Sequence, residues 1–333
     1  MPSLHIISAA LGFLLALGVT LVAAAVFADR LDRLGARLGF SEVLLGVLTA
    51  VAADSPELSS SVAAILRGER DVGLGVVIGS NVFNLAAMIG IGAVVAGAVR
   101  PARAWLAVES AVALSLLAVT AGLLVAGLPP LAALALALVV LTPYLAVLAL
   151  GDARLHLVPL PARAHRVLRD ALGSGLAHPR SLVSADSLWR AFWLMALALV
   201  VIVAGSTVMV DTSLVLADEI GLSHLLVGLL ILAVVTSLPN ASTAFRLARQ
   251  GRADATVSET LNSNNINLVG GILIPAAILG LGTVSSGVPA DLVWLLVLTA
   301  ATLGALATRS GIGRLAGAAL VCAYIAFVIA HAV

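Results

Sequence analysis

The sequence predicts an all-α polytopic membrane protein: ten transmembrane helices arranged as two inverted five-helix repeats, with helices 2 and 7 broken. Three observations predict it. Of 333 residues, 61% are hydrophobic and 11% charged, against roughly 25% charged in a soluble domain, so only a bilayer can solvate this surface. Second, two polar stretches inside apolar runs are blurred copies of each other. One runs Ala53-Asp54-Ser55-Pro56-Glu57, Arg67-Gly68-Glu69-Arg70-Asp71, Gly79-Ser80-Asn81-Val82-Phe83-Asn84. The other runs Thr236-Ser237-Leu238-Pro239-Asn240, Gln250-Gly251-Arg252-Ala253-Asp254, Asn262-Ser263-Asn264-Asn265-Ile266-Asn267. A displacement of 183 superposes Pro56 on Pro239, Gly68 on Gly251, Asp71 on Asp254, Ser80 on Ser263, Asn81 on Asn264 and Asn84 on Asn267. Third, the arginines sort to alternate connections.

A membrane span needs ~20 mostly apolar residues. The spans read 4–27, 41–66, 72–98, 105–127, 130–150, 189–210, 223–247, 254–282, 290–307 and 312–331. The first has no basic residue before it and exceeds the ~7–15 apolar residues of a signal peptide, so it reads as a retained helix. Pro129-Pro130 separates the fourth span from the fifth. Gly75 and Gly79 have the spacing that lets helices approach closely, and they are expected to pack span three on span two. The sole cysteine, Cys322, is expected to be a buried small apolar side chain; alone, it excludes an internal disulfide or CxxC site.

The longest polar connection, 151–187, divides the chain into a first repeat, 1–150, and a second, 188–333. With the N-terminus outside, the cytoplasmic connections hold 16 of the 18 arginines, all except Arg67 and Arg70. The positive-inside rule thus places both termini outside a cell inner (plasma) membrane. Five spans per repeat is odd, so the connection at Gly68 is outside and its twin at Gly251 inside. This is the inverted-repeat plan, in which binding sites form at the repeat interface near the midplane.

The polar residues of the two copies meet there. A proline removes a backbone donor and clashes with the preceding turn. One proline reads as a packing kink; two at equivalent positions, each in a polar cluster, read as broken helices whose freed carbonyls face a cavity. Asp54 and Glu57, three apart, share a helix face, and carboxylates at that depth mark ion pathways. Ser80 and Asn84, and likewise Ser263 and Asn267, are four apart and form one stripe on each helix. Ser55, Thr236 and Ser237 add hydroxyls, and Asn240 stands where the first copy has Glu57. Asn81 and Asn264 point off the stripe, toward freed backbone. Glu259 lies on the face of Ser263 but ~12 Å along the axis from Asn267, at a vestibule or a second ion or proton site. His224, just before span seven, reads as interfacial.

At these residues the chain resembles the cation/calcium exchanger superfamily, the sodium/calcium exchanger membrane region. That family carries G-T-S-L-P-E on one helix of each repeat and G-S-N-[IV]-F-[ND] on the next. Matching residues are Ser-Pro-Glu at 55–57 and Gly-Ser-Asn-Val-Phe-Asn at 79–84. The second repeat matches through Thr-Ser-Leu-Pro at 236–239, Ser-Asn at 263–264 and Asn267. The resemblance implies cation ligands at Glu57, Asn84, Asn240 and Asn267, supported by Ser80, Ser263, Thr236 and Ser237. Four departures stand out, one being the loss of Gly and Phe from the second segment, where Asn262 and Ile266 stand. The first segment is one residue shorter, counted from Gly46 to Pro56 against Gly228 to Pro239. It gains Asp54. The second glutamate is Asn240. With Asp54 turned inward the site balances a divalent ion; otherwise a monovalent cation or proton fits better.

The resemblance implies a secondary antiporter exchanging calcium for sodium or protons. The alternatives are a monovalent cation/proton exchanger and a transport-inactive scaffold or regulatory subunit. Catalytic motifs such as HExxH, GxSxG or a Walker loop are absent from the sequence, so no enzyme activity is expected. No cofactor is expected either, because the ions are cargo. The expected partners are the lipid bilayer and the transported inorganic cations, with no nucleic acid or soluble partner.

Overall fold

Apolar runs this long become long helices. The computed structural model describes residues 4–37, 50–154, 188–280, 282 and 284–332. The start of span two with Gly46, and most of the connection 151–187, lie outside the described residues. In chain order the elements are α1 (Leu4–Arg37), α2 (Ser55–Leu66), α3 (Arg70–Asn84), α4 (Gly92–Ala96), β1 (Ala98–Val99), α5 (Arg103–Leu124), α6 (Pro130–Arg154) and α7 (Leu188–Ile220). Then follow α8 (His224–Leu226), α9 (Ala233–Thr236), α10 (Leu238–Arg249), α11 (Ala253–Leu268), α12 (Ile274–Leu279), α13 (Val288–Leu306), β2 (Ile312–Gly313) and α14 (Arg314–Ala332). Single π-helical stretches, Leu85–Ile91, Val227–Leu232 and Val269–Leu273, join α3 to α4, α8 to α9 and α11 to α12. Such bulges are frequent beside functional sites.

Seven helices among the described residues are long and apolar enough to cross a membrane, or eight if the bent pair His224–Thr236 and Leu238–Arg249 is one span. The chain is an integral membrane protein. Of the ten spans expected, the two not recovered are the second, whose start is not described, and the eighth. Ala253–Leu268 is helical as expected, but Glu259, Asn262, Asn264, Asn265 and Asn267 make it too polar to stand alone as a span. Span six is longer than read from sequence, reaching Ile220.

The two copies repeat in backbone as well as sequence. Asp54 (φ −80°, ψ −6°) caps α2, and its equivalent Ser237 (φ −81°, ψ −2°) caps α10; Pro56 and Pro239 follow within the first turn, where a missing N–H is tolerated. The α9–α10 bend is 49°. Gly68 and Gly251 both take positive φ, 85° and 71°, the left-handed turn that glycine allows, so each copy reverses direction at the same point.

Small residues bring the copies together. A methyl group on Gly79 would collide with the Leu229 carbonyl, and one on Gly228 with the Val72 carbonyl. Gly75 and Gly79 therefore pack α3 on Val227–Leu232, the start of span seven, and not on span two as the sequence reading had it. Gly73 is the glycine facing α2, with Ser61 and Ile65 beside it. The reason is the interlock of the repeats: each polar helix lies against the proline-bearing segment of the other copy, Gly79 against Leu229 and Gly270 against Leu58. Leu74, Ile78, Leu85 and Ile89 complete an apolar core around this crossing. Cys322 is exposed, against expectation; α14 lies at the rim, and its outward face needs only to be apolar enough for lipid.

The connections gather at two ends. Arg67 pairs with Asp211, Asp71 accepts from the Ser285 amide, and Leu225 lies against Gly287. α1 runs antiparallel to α7, with Gly12 against Thr212, and His331 meets Asp291. Both chain ends thus share one end with Arg67 and Arg70. At the other end Arg100 donates to the Ser310 carbonyl, and β1 pairs with β2.

Candidate cation site at the repeat interface

The helix starts at Asp54 and Ser237 set the geometry. Pro56 cannot donate to the Ala52 carbonyl, and the Ser55 hydroxyl does so instead at 2.6 Å. Asp54 and Glu57, on either side of Pro56, are both fully buried. On the other copy Thr236 donates to the Leu232 carbonyl at 2.8 Å, leaving Ser237 and Asn240 to face the acids. Ser237 donates to Glu57 Oε1 at 2.7 Å. Asn240 donates to Asp54 Oδ1 and lies 3.4 Å from Glu57 Oε1. Ser263, from α11, donates to Asp54 Oδ1 at 2.7 Å.

The asparagines of α3 and α11 lock the copies face to face. Asn81 donates to the Asn264 carbonyl at 3.1 Å, and Asn264 to the Asn81 carbonyl at 3.1 Å. Asn84 donates to Asn264 Oδ1 at 3.0 Å, and its equivalent Asn267 to Asn81 Oδ1 at 3.2 Å. Residue i meeting j while j meets i is the signature of a two-fold contact. Asn81 and Asn264 do satisfy backbone carbonyls, but each serves the other repeat rather than a proline break.

These bonds consume the amide N–H groups and leave oxygens over. Asp54 Oδ2, Glu57 Oε2, Asn84 Oδ1, Asn240 Oδ1 and Asn267 Oδ1 are buried with no hydrogen-bond partner. Buried polar atoms are nearly always paired, and an unpaired one costs about 1–3 kcal/mol, more if charged. Five orphan acceptors, with two carboxylates among them, have the oxygen chemistry that hard cations prefer.

Of the residues read from sequence, Asp54, Glu57, Ser237, Asn240, Ser263 and Asn84 are joined by direct hydrogen bonds, and Asn267 is linked to Asn84 through Asn81 and Asn264. Ser55 and Thr236 donate to backbone carbonyls, as does Ser80, to Ala233 at 3.3 Å; their lone pairs stay available. Glu259 is half-buried, and Asp54 and Arg246 are the charged groups acting on it. His224 bridges Glu69 (2.7 Å) and Asp218 (3.3 Å) at the same end as Arg67.

Sequence reasoning missed a buried carboxylate away from this cluster. Glu109 on α5 is fully buried and holds Tyr144 of α6 at 3.0 Å and Ser258 of α11 at 2.8 Å. Two signals could have found it: it is the sole ionisable residue of its helix after Arg103, and Ser258 and Asn262 are four apart.

A family model described as sodium/calcium exchanger protein matches residues 8–150 and 190–333. The chain is 30% identical over 247 residues to inner membrane protein YrbG of Escherichia coli strain K12, covering 72% of this chain and 70% of that one. It is 27% identical over 250 residues to putative antiporter CaxA of Alkalimonas amylolytica, covering 74% and 71%. Its fold matches solved structures of the sodium-calcium exchanger NCX_Mj. With 2.5 mM Na+ and 10 mM Sr2+ the TM-score is 0.59 at 18% identity, covering 97% of this chain and 99% of that one.

Proposed function

The chain belongs to the sodium/calcium exchanger family, and from that footing we propose that it is a secondary active antiporter exchanging calcium for sodium or protons. The observation that carries this reading is the set of five donor-free oxygens on Asp54, Glu57, Asn84, Asn240 and Asn267, all buried where the two repeats meet. Calcium takes six to eight oxygens with carboxylates among them. Five come from these side chains, and the hydroxyls of Ser55, Ser80, Thr236, Ser237 and Ser263 are at hand for the rest.

Asp54 decides between ions of different charge. Asn240 removes one carboxylate from the expected pattern, which alone favours a monovalent cation or proton. But Asp54 is turned inward and shares Asn240 with Glu57, so two negative charges face one site and a divalent ion is balanced. Glu57 would bind calcium, sodium or a proton, never two at once. That competition couples the fluxes, because an ion shifts the inward-open and outward-open populations only by its differential affinity for them.

Alternating access in this reading uses ten spans in two inverted repeats. To the eight spans found among the described residues it adds 41–66 and 254–282, with breaks at Asp54 and Ser237 as the flexing points. The membrane is the bacterial inner membrane, as the name of the YrbG relative states for that protein. The arginine-poor end with both termini faces outward. No cofactor takes part. The test is flux in reconstituted vesicles under calcium, magnesium, sodium and proton gradients. Glu57→Gln should abolish cation-driven flux while expression stays intact; wild-type flux in that variant would remove Glu57 from the site.

A further inference from the structure

The central site leaves Glu109 unused. It lies six residues, ~9 Å along the axis, inside α5 from Arg103. A lone carboxylate buried to this degree needs a compensating positive charge or a proton. From the helices packed against it, α11 presents Ser258 and Asn262, and α6 presents Tyr144. The sole ionisable residue of α13, Asp291, is paired with His331, and Val269–Leu273 is apolar. Tyr144 is the titratable group facing Glu109, and Glu259, on the neighbouring face of α11, is acted on by Asp54 and Arg246 instead.

The distances define a ring that lacks one proton. Tyr144 Oη lies 3.0 Å from Glu109 Oε1 and 2.9 Å from Asn262 Oδ1, but its hydroxyl carries one hydrogen. With Glu109 ionised, Tyr144, Ser258 and Asn262 all donate to Oε1, Asn262 Oδ1 is left without a donor, and Oε2 stays buried and unpaired. With Oε1 protonated, Glu109 donates to Tyr144, Tyr144 to Asn262 Oδ1, Asn262 Nδ2 to Ser258 (3.1 Å) and Ser258 back to the carboxyl (2.8 Å). Adding one proton reverses one hydroxyl and closes the circuit. Three donors aimed at one oxygen suit a proton better than a metal ion, which needs lone pairs.

We propose that Glu109, with Tyr144, Ser258 and Asn262, is a proton-binding site separate from the central cation site. Ser258 and Ser263 sit on the same helix, ~7.5 Å apart along its axis; one holds Glu109 and the other Asp54. A proton at Glu109 and a cation at Asp54 therefore act on one rigid element. This coupling rests on the transport reading above; the proton site itself does not.

The test is pH-difference infrared spectroscopy of the purified protein in lipid nanodiscs, without transported cations. Wild type should show a carboxylic C=O band that vanishes on alkalinisation and is lost in Glu109→Gln. The Gln side chain keeps the volume, and its amide oxygen can accept from Tyr144, Ser258 and Asn262 without a charge, so this variant should fold. Tyr144→Phe should keep the band at a shifted frequency, and Asp54→Asn/Glu57→Gln should keep it unshifted. An unchanged difference spectrum in Glu109→Gln overturns the proposal. So does a band erased by sodium chloride at constant pH, which marks a metal site. Loss of flux with this band intact would count against the antiporter reading alone.

Discussion

Asp54→Asn isolates charge from shape. The Asn side-chain oxygen can still accept from Ser263 and Asn240, so the hydrogen bonds across the break survive while one negative charge leaves the site. Its loss acts at about 2.3–2.6 Å, the length of a calcium–oxygen contact. Coulomb energy scales with the product of the charges, so a divalent ion loses twice what a monovalent ion loses. Removing one partner of a buried ion pair costs about 3–5 kcal/mol, and about 1.4 kcal/mol is tenfold in affinity. The calcium Kd should therefore rise by about two to four orders of magnitude, and the sodium Kd by about one to two. Titration calorimetry of the purified proteins with calcium chloride and sodium chloride reads both. Equal calcium affinity in wild type and variant would refute Asp54 as a ligand; equal losses for the two ions would refute the charge argument.

Other outcomes follow from the packing. Gly228→Ala drives a methyl group into the Val72 carbonyl and should destabilise by about 1–3 kcal/mol, read as a lower melting temperature; an unchanged one would sink the close crossing. Asn81→Ala removes an amide that donates to Asn264 and an oxygen that accepts from Asn267. It should cost about 1–3 kcal/mol, and Asn264→Ala in the same protein should add less than its own single effect. For sidedness, in a Cys322→Ser background, Asp218→Cys should react with an impermeant maleimide from outside intact cells. Ser310→Cys should not, and the opposite pattern would invert the orientation.

The repeat was the most legible part of this chain. A displacement of 183 pairs residues that prove to bond reciprocally, Asn81 with Asn264, because a two-fold contact joins equivalent positions. Asp54 was legible as a carboxylate at depth; its inward turn was not, because that depends on backbone angles at a break. The partner of Gly75 and Gly79 was misread, because small-residue spacing shows that a helix is approached and not by which neighbour. Glu109 escaped notice for a related reason. Its donors come from α6 and α11, far apart in sequence and brought together only by folding. The eighth span shows the converse: the asparagines and serines that build the site lower its hydropathy below that of its neighbours.

The central claim is that five oxygens without donors await a metal ion between the two repeats. Crystals soaked in calcium chloride, with anomalous diffraction data, test it most directly. The account predicts an anomalous peak within about 2.3–2.6 Å of Glu57 Oε2 and Asp54 Oδ2. Continuous lipid or side-chain density there, with calcium bound elsewhere or nowhere, would contradict it.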